Sequence, residues 1–169
     1  QTELRLLAHF SEDDTLIHAF THGLDIHAAT AADMFGLPLE QVTSDMRRSA
    51  KAINFGILYG MGAFRLAREL KIPRKEAEQY ITRYFERYAR VDGFLKGTLE
   101  RAKAQGFVTT IEGRRRFIPD LGSSNFNLRQ GAERIAVNTP IQGSAADIIK
   151  MAMRDVEKGL REGGFTSPL

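Results

Sequence analysis

The stretch RRSAKAINFGILYG, from Arg47 to Gly60, constrains the fold more tightly than any other part of the chain. On a helix advancing about 100° per residue, Met46, Ala50, Ile53 and Ile57 fall in one narrow stripe, which predicts a buried face. Arg47, Lys51, Phe55 and Tyr59 step by four along nearly the opposite side. A wet face that carries two aromatic rings needs a reason. Its two cations lie in the first turns, where they oppose the helix dipole. An anion held by the first-turn N–H groups together with Arg47 and Lys51 removes that conflict. About 18 Å of rise then carries Phe55 and Tyr59 towards whatever the anion is attached to. Phosphates at one end and a flat base at the other describe a nucleoside triphosphate. The same spacing also fits a plain amphipathic helix, with cations in water and two rings tucked under neighbouring loops.

Around this helix the pattern predicts a mainly α, multi-helix unit with one small β-hairpin near residues 107–118. Leu4, Leu6, Leu7 and Phe10 open the chain in an apolar pattern, and Ser11 followed by Glu12, Asp13 and Asp14 reads as a cap for a short helix to about Phe20. A second helix runs from about Asp25 to Phe35 and stops at Gly36-Leu37-Pro38, and Thr43, Ser44 and Asp45 offer caps for the central helix. After Gly60 and Gly62 come a short helix from about Phe64 to Leu70, one that Pro73 opens and that runs to about Ala89, and another from about Val91 to Gln105. The stripe of Ala77, Tyr80, Ile81, Tyr84, Phe85 and Tyr88 is most simply core. The period then becomes alternating, and the two strands Phe107–Ile111 and Arg114–Ile118 flank a two-residue Glu112-Gly113 turn. Alternation sends Arg115 to the face opposite Arg114 and Arg116. From Asn127, as N-cap, a helix carries Arg134 and Asn138 to a break at Thr139-Pro140. A last helix buries Ile141, Ala145, Ile148, Ala152, Val156 and Leu160.

With 24 Lys plus Arg against 21 Asp plus Glu, the net charge of +3 is only a weak pointer to nucleic acid, so charge placement matters more than its total. The absence of cysteine excludes disulfides and thiolate metal sites. No apolar run approaches the roughly 18 residues of a membrane span, and a soluble, reducing compartment fits. His18 and His22 are four residues apart without the neighbouring acid of a zincin-type site, and His27 by spacing alone is a helix-surface residue. The segment LARELKIPRKEAEQYI, with Arg83 and Arg87 on its second helix, also describes a helix-turn-helix DNA-binding module without catalysis. Arg134, Asn138 and Gln142 recur at intervals of four, and their donors suit minor-groove acceptors that look nearly alike for every base pair. Capping around Pro140 explains the same residues.

Arg47, Lys51, Phe55 and Tyr59-Gly60, at intervals of four, resemble the fingers-helix motif of family A DNA polymerases, the bacterial polymerase I type. QTELRLLAHFSED and DIHAATAADMFG before it, and GRRRFIPDL and ERIAVNTPIQGSAADIIKMAM after it, resemble the same family in the same order. The resemblance implies a palm-side edge at residues 1–24, a fingers subdomain at 25–140 and a helix returning to the palm at 141–169. It implies that Glu3, His27, Arg47, Lys51, Phe55 and Tyr59 bind a deoxynucleoside triphosphate (dNTP). In that role Glu3 crowds the sugar 2′ position and hydrogen-bonds Tyr59. Arg47 and Lys51 take the catalytic part, by offsetting charge on the leaving pyrophosphate. Tyr59, Arg134, Asn138 and Gln142 are implied to meet primer-template DNA. The family joins deoxynucleotides to a primer 3′ end with two magnesium ions held by two aspartates. The resemblance places those aspartates before Gln1 and after Leu169. The chain is then expected to hold no metal, to be inactive alone and to need the palm and thumb as partners. A bacterial cytoplasmic, nucleoid-associated setting in replication and repair follows from the same likeness.

Overall fold

The structure, a computed structural model, describes residues 2–165; Gln1 and residues 166–169, the outer ends of the first and last expected segments, lie outside the described residues. Eight α-helices and one two-stranded antiparallel sheet make up the described chain, with 3-10 turns at Leu39–Gln41 and Pro119–Gly122, and the mainly α class with a single hairpin is the observed one. None of these helices is long and apolar enough to cross a membrane.

Helix α1 (Thr2–Ser11) buries Leu4, Leu6 and Leu7. It ends on Ser11, whose hydroxyl donates to Leu7 O, so Ser11 is not the cap of the next helix. That cap is Asp13. Its Oδ1 accepts from Thr15 N and Leu16 N, both at 3.1 Å, at the start of α2 (Asp14–Thr21). Its Oδ2 accepts from Arg90 N at 3.3 Å, at the start of α7 (Ala89–Gln105). One carboxylate, only 3% exposed, therefore serves the N-termini of two helices, reaching the second at Arg90, 77 positions away. Sequence spacing pointed to Ser11 because it has no access to the second of those helices.

Helix α3 (Ile26–Phe35), capped by Asp25, packs against α4 (Ser44–Leu58), capped by Thr43. The expected core stripe of α4 is present: Ala50, Ile53 and Ile57 are buried and Met46 is half-buried. At about 1.5–3 kcal/mol for each large aliphatic side chain removed from water, this face holds α4 rigidly and leaves its other side free for function. Helix α5 (Ala63–Leu70) and α6 (Arg74–Arg87) follow, with Ala77, Tyr80, Tyr84 and Tyr88 buried against the α3–α4 pair.

Tyr84 is 1% exposed and its hydroxyl meets no hydrogen-bond partner among the described residues. Burial pushes its pKa far up, and an unpaired buried hydroxyl carries a desolvation cost with no return. Tyr84→Phe is expected to stabilise the fold by about 1 kcal/mol, raising the thermal midpoint by about 2–4 °C for a chain of this size; a lowered midpoint would contradict the orphaned hydroxyl.

The hairpin, β1 (Phe107–Thr109) and β2 (Arg115–Phe117), pairs Phe107 with Phe117 and Thr109 with Arg115. Thr110 N donates to Arg114 O, which closes a three-residue loop of Ile111, Glu112 and Gly113 in place of the expected two-residue turn. The alternation of the arginines stands. Arg114 reaches Asp147 Oδ1 at 2.8 Å and Gly143 O, Arg116 reaches Thr139 Oγ1, and Arg115 lies on the other face over the Phe107 ring. All three are bound to this chain's own groups.

Helix α8 (Phe126–Glu162) corrects three expectations. Asn125, not Asn127, caps it, its Oδ1 accepting from Asn127 N and Leu128 N. It runs for 37 residues straight through Pro140, so no break occurs at Thr139-Pro140. Pro140 is buried, so packing offsets the backbone bond to Ala136 O that proline removes. The apolar stripe is buried at Ile141 and Ala145, half-buried at Ile148 and Leu160, and exposed at Ala152 and Val156, because no described element packs on the far half of the helix. The hairpin instead covers the near half, and it can do so only at a glycine: a Cβ on Gly143 would lie 2.5 Å from Thr110 Cγ2.

Candidate nucleotide and template site

One carboxylate organises the N-terminal end of the site. Asp25 caps α3 through Oδ1, which accepts from His27 N at 3.0 Å and Ala28 N at 3.2 Å, while Oδ2 accepts from Arg47 Nε at 2.6 Å. Burial works to raise the Asp25 pKa, but the Arg47 hydrogen bond, the two helix N–H groups and the Arg47 charge outweigh it and hold the carboxyl below its usual range. The negative group expected beside the first-turn cations is thus supplied in part by the chain itself. Both partners are nearly half exposed, so the pair orients Arg47 more than it stabilises the fold. Lys51, one turn on, is exposed.

His27 is 6% exposed, which corrects its reading as a surface residue: the capped start of α3 turns inward against α4. Its Nδ1 lies 3.0 Å from Asn54 Nδ2, and its ring meets Phe55 with centroids 5.9 Å apart. Burial lowers the His27 pKa; Asp25 opposes the shift and the Arg47 and Lys51 cations add to it. Neutral imidazole at physiological pH follows. Arg47, Lys51, His27 and Phe55 therefore form one group on the α3–α4 surface, and Phe55 is half-buried.

At the other end of α4, Tyr59 caps the helix and its hydroxyl donates to Glu3 Oε2 at 2.9 Å, across 56 positions of sequence. Burial and that carboxylate raise the Tyr59 pKa, with the Gln142 amide acting against them. Gly60 takes φ +63, and a Cβ there would stand 3.1 Å from Arg134 Cγ, so the stem of Arg134 lies directly on the end of α4. Arg134 and Gln142 are exposed, and Asn138 between them keeps a buried Oδ1 that meets no partner among the described residues. Continuity of α8 through Pro140 keeps the three in register on one side. A cleft of about 430 Å³ opens beside them, lined in part by Gly60, Phe64, Arg65, Gln130 and Arg134.

Two ends of one helix thus present different chemistry: donors with a neutral imidazole at the start, and a tyrosine with amide and guanidinium groups at the finish. Sequence reasoning missed Asp25 as the holder of Arg47, and Asn54. The signal for Asn54 was present, since it steps by four from Ala50 to Leu58 along the buried face, where a polar residue demands a partner. His18 and His22 stack with centroids 4.0 Å apart on the exposed side of α2, away from this group. Among the described residues no three His, Cys, Asp or Glu side chains cluster so as to hold a metal ion.

The family model described as DNA polymerase family A matches residues 1–169. The DNA polymerase I of Pseudomonas aeruginosa is 54% identical over 165 residues, covering 98% of this chain and 18% of that protein. That of Geobacillus stearothermophilus is 56% identical over 162 residues, covering 96% and 18%. A solved structure of the POL domain of Pol1 from M. smegmatis, in complex with DNA primer-template and dNTP, superimposes with a TM-score of 0.94 at 43% identity, covering 98% of this chain and 29% of that one. The chain spans 18% of the length of these two curated relatives.

Proposed function

The chain belongs to DNA polymerase family A, and we propose that it is the nucleotide-binding and template-positioning part of a DNA-directed DNA polymerase. The observation that carries this reading is the ordered side of α4: Arg47 and Lys51 exposed at its start, His27 packed on Phe55 beside them, and Tyr59 tied to Glu3 at its end. Arg47, Lys51 and the His27 ring hold the triphosphate, and the two cations offset charge that builds on the leaving pyrophosphate. Lys51 also donates a proton to that leaving group. Phe55 packs on base and sugar. Tyr59 stands where the template base enters, and the Glu3 carboxylate crowds the sugar 2′ position. Arg134, Asn138 and Gln142 donate to minor-groove acceptors of primer-template, which tests pair shape while accepting any sequence. The neighbour from M. smegmatis is complexed with both partners, which supports dNTP and DNA as ligands here.

The helix-turn-helix alternative has less support. A reading helix must offer its cations to a groove, but on α6 Arg83 donates to Met34 O and Arg87 pairs with Asp33 at 3.0 Å, both on α3. The uncovered Ile149, Met153 and Val156 of α8 are where the palm and thumb of a whole polymerase would pack. Magnesium belongs to chemistry held outside the described residues, and the chain alone is expected not to polymerise. Incubated with primer-template, magnesium and all four dNTPs, it should leave the primer unextended yet bind a fluorescent dNTP in a parallel titration. Template-dependent extension would contradict its inactivity, and absence of nucleotide binding would contradict the function proposed.

A further inference from the structure

Beneath the nucleotide side of α4 lies a polar chain sealed from water: His27, Asn54, Thr30 and Tyr88, none more than 6% exposed. Its hydrogens can be counted. Thr30 Oγ1 has one proton, and the shortest contact, 2.7 Å to Ile26 O, takes it. Its lone pairs are left to accept. Tyr88 Oη, at 3.0 Å, can donate to them. Asn54 presents both ends of its amide to that oxygen, Nδ2 at 3.2 Å and Oδ1 at 3.4 Å, and only a nitrogen can donate, so the nearer place is the nitrogen's. The same nitrogen, with its second hydrogen, lies 3.0 Å from His27 Nδ1. An N–H pointing at Nδ1 requires that atom to be bare, so the ring hydrogen sits on Nε2.

We propose that Asn54, oriented by Thr30, is the positioning residue that fixes His27 as the neutral Nε2–H tautomer, so that His27 meets a nucleotide phosphate as a hydrogen-bond donor and not as a cation. This rests on the nucleotide-binding reading of the site. It divides the labour among the three phosphate ligands. Arg47 and Lys51 bring charge, and His27 brings a directed donor whose other nitrogen is closed to solvent. Asn54 contacts no substrate; its effect passes through the imidazole. An imidazole free to exchange tautomers would offer a donor only part of the time.

Side-chain nitrogen shifts of His27, read by long-range proton–nitrogen correlation on the wild-type 169-residue chain at neutral pH, test the assignment without any variant. A bare Nδ1 and a protonated Nε2 are expected; a protonated Nδ1, or a charged ring, overturns it. Thr30→Val keeps the side-chain shape but releases the Asn54 amide to flip, and Asn54→Leu removes the donor. Both should turn the single tautomer into an exchanging mixture and weaken binding of a fluorescent dNTP by roughly tenfold. An unchanged tautomer in both folded variants overturns the role of Asn54. A mixed tautomer with unchanged affinity, while Lys51→Ala still loses affinity, overturns the donor role of His27. If Lys51→Ala is also silent, the nucleotide-binding reading itself has failed, and the wild-type nitrogen shifts still decide the tautomer.

Discussion

Lys51→Ala should weaken dNTP binding by about 10- to 100-fold while leaving the melting temperature unchanged. A charge-assisted hydrogen bond to phosphate is worth about 1.5–3 kcal/mol, and each 1.4 kcal/mol is about a tenfold change in affinity. The side chain is exposed on the free face of α4, so its removal opens no cavity, and surface substitutions of this kind stay within about 0.5 kcal/mol of wild type. That separation makes the result readable. Arg47→Ala should be less clean, because Asp25 then loses the guanidinium it holds at 2.6 Å while still capping α3. A titration in which Lys51→Ala binds as tightly as wild type would remove the phosphate end of the site.

The largest loss of stability is expected at Asp13, which has no part in the nucleotide site. Asp13→Ala takes the acceptor from Thr15 N, Leu16 N and Arg90 N at once, at a position 3% exposed. One helix cap is worth about 1 kcal/mol, and buried N–H groups left without acceptors add their desolvation cost. A loss of about 2–4 kcal/mol follows, or roughly 5–12 °C in the thermal midpoint. Asp13→Asn, which keeps a carbonyl oxygen, should lose less than half of that. A shift of under about 2 °C for Asp13→Ala would mean that the double cap contributes nothing.

Local signals announced most of this fold, and contacts between distant segments decided where they failed. The four-residue steps of α4, the start of α3 near Asp25 and its stop at Gly36, and the Tyr80–Tyr84–Tyr88 core stripe were legible because each is set by neighbours along one helix. Ser11 lost the cap to Asp13 because the second helix that Asp13 serves meets it at Arg90, 77 positions away. Pro140 did not break α8 because the bundle buries it, and a proline's local preference yields to enough burial. Exposure of Val156 was hidden for the complementary reason. An apolar stripe says that something covers it, not that the covering element lies in the same stretch of chain.

The functional site divides in the same way. The residues that would touch ligand could be read from spacing and resemblance, since Arg47, Lys51, Phe55 and Tyr59 fall on one helix. Of the residues that hold them in place, Glu3 was legible through the resemblance alone, which implied its bond to Tyr59 across 56 positions. Asp25, which reaches Arg47 from 22 positions away, and Asn54, which reaches His27 from 27, were not read. Packing α3 and α1 against α4 creates these contacts, and no periodicity encodes them.

In the proposed role one helix, α4, gathers the triphosphate at its start and the base towards its end. Backbone amide shifts of the isotope-labelled chain, followed during titration with an unlabelled dNTP, test this most directly. Saturable changes are expected, centred on residues 26–28, on Arg47, Lys51 and Phe55 of α4 and on its cap Tyr59. Changes centred instead on α6, or no change at millimolar nucleotide, would contradict it.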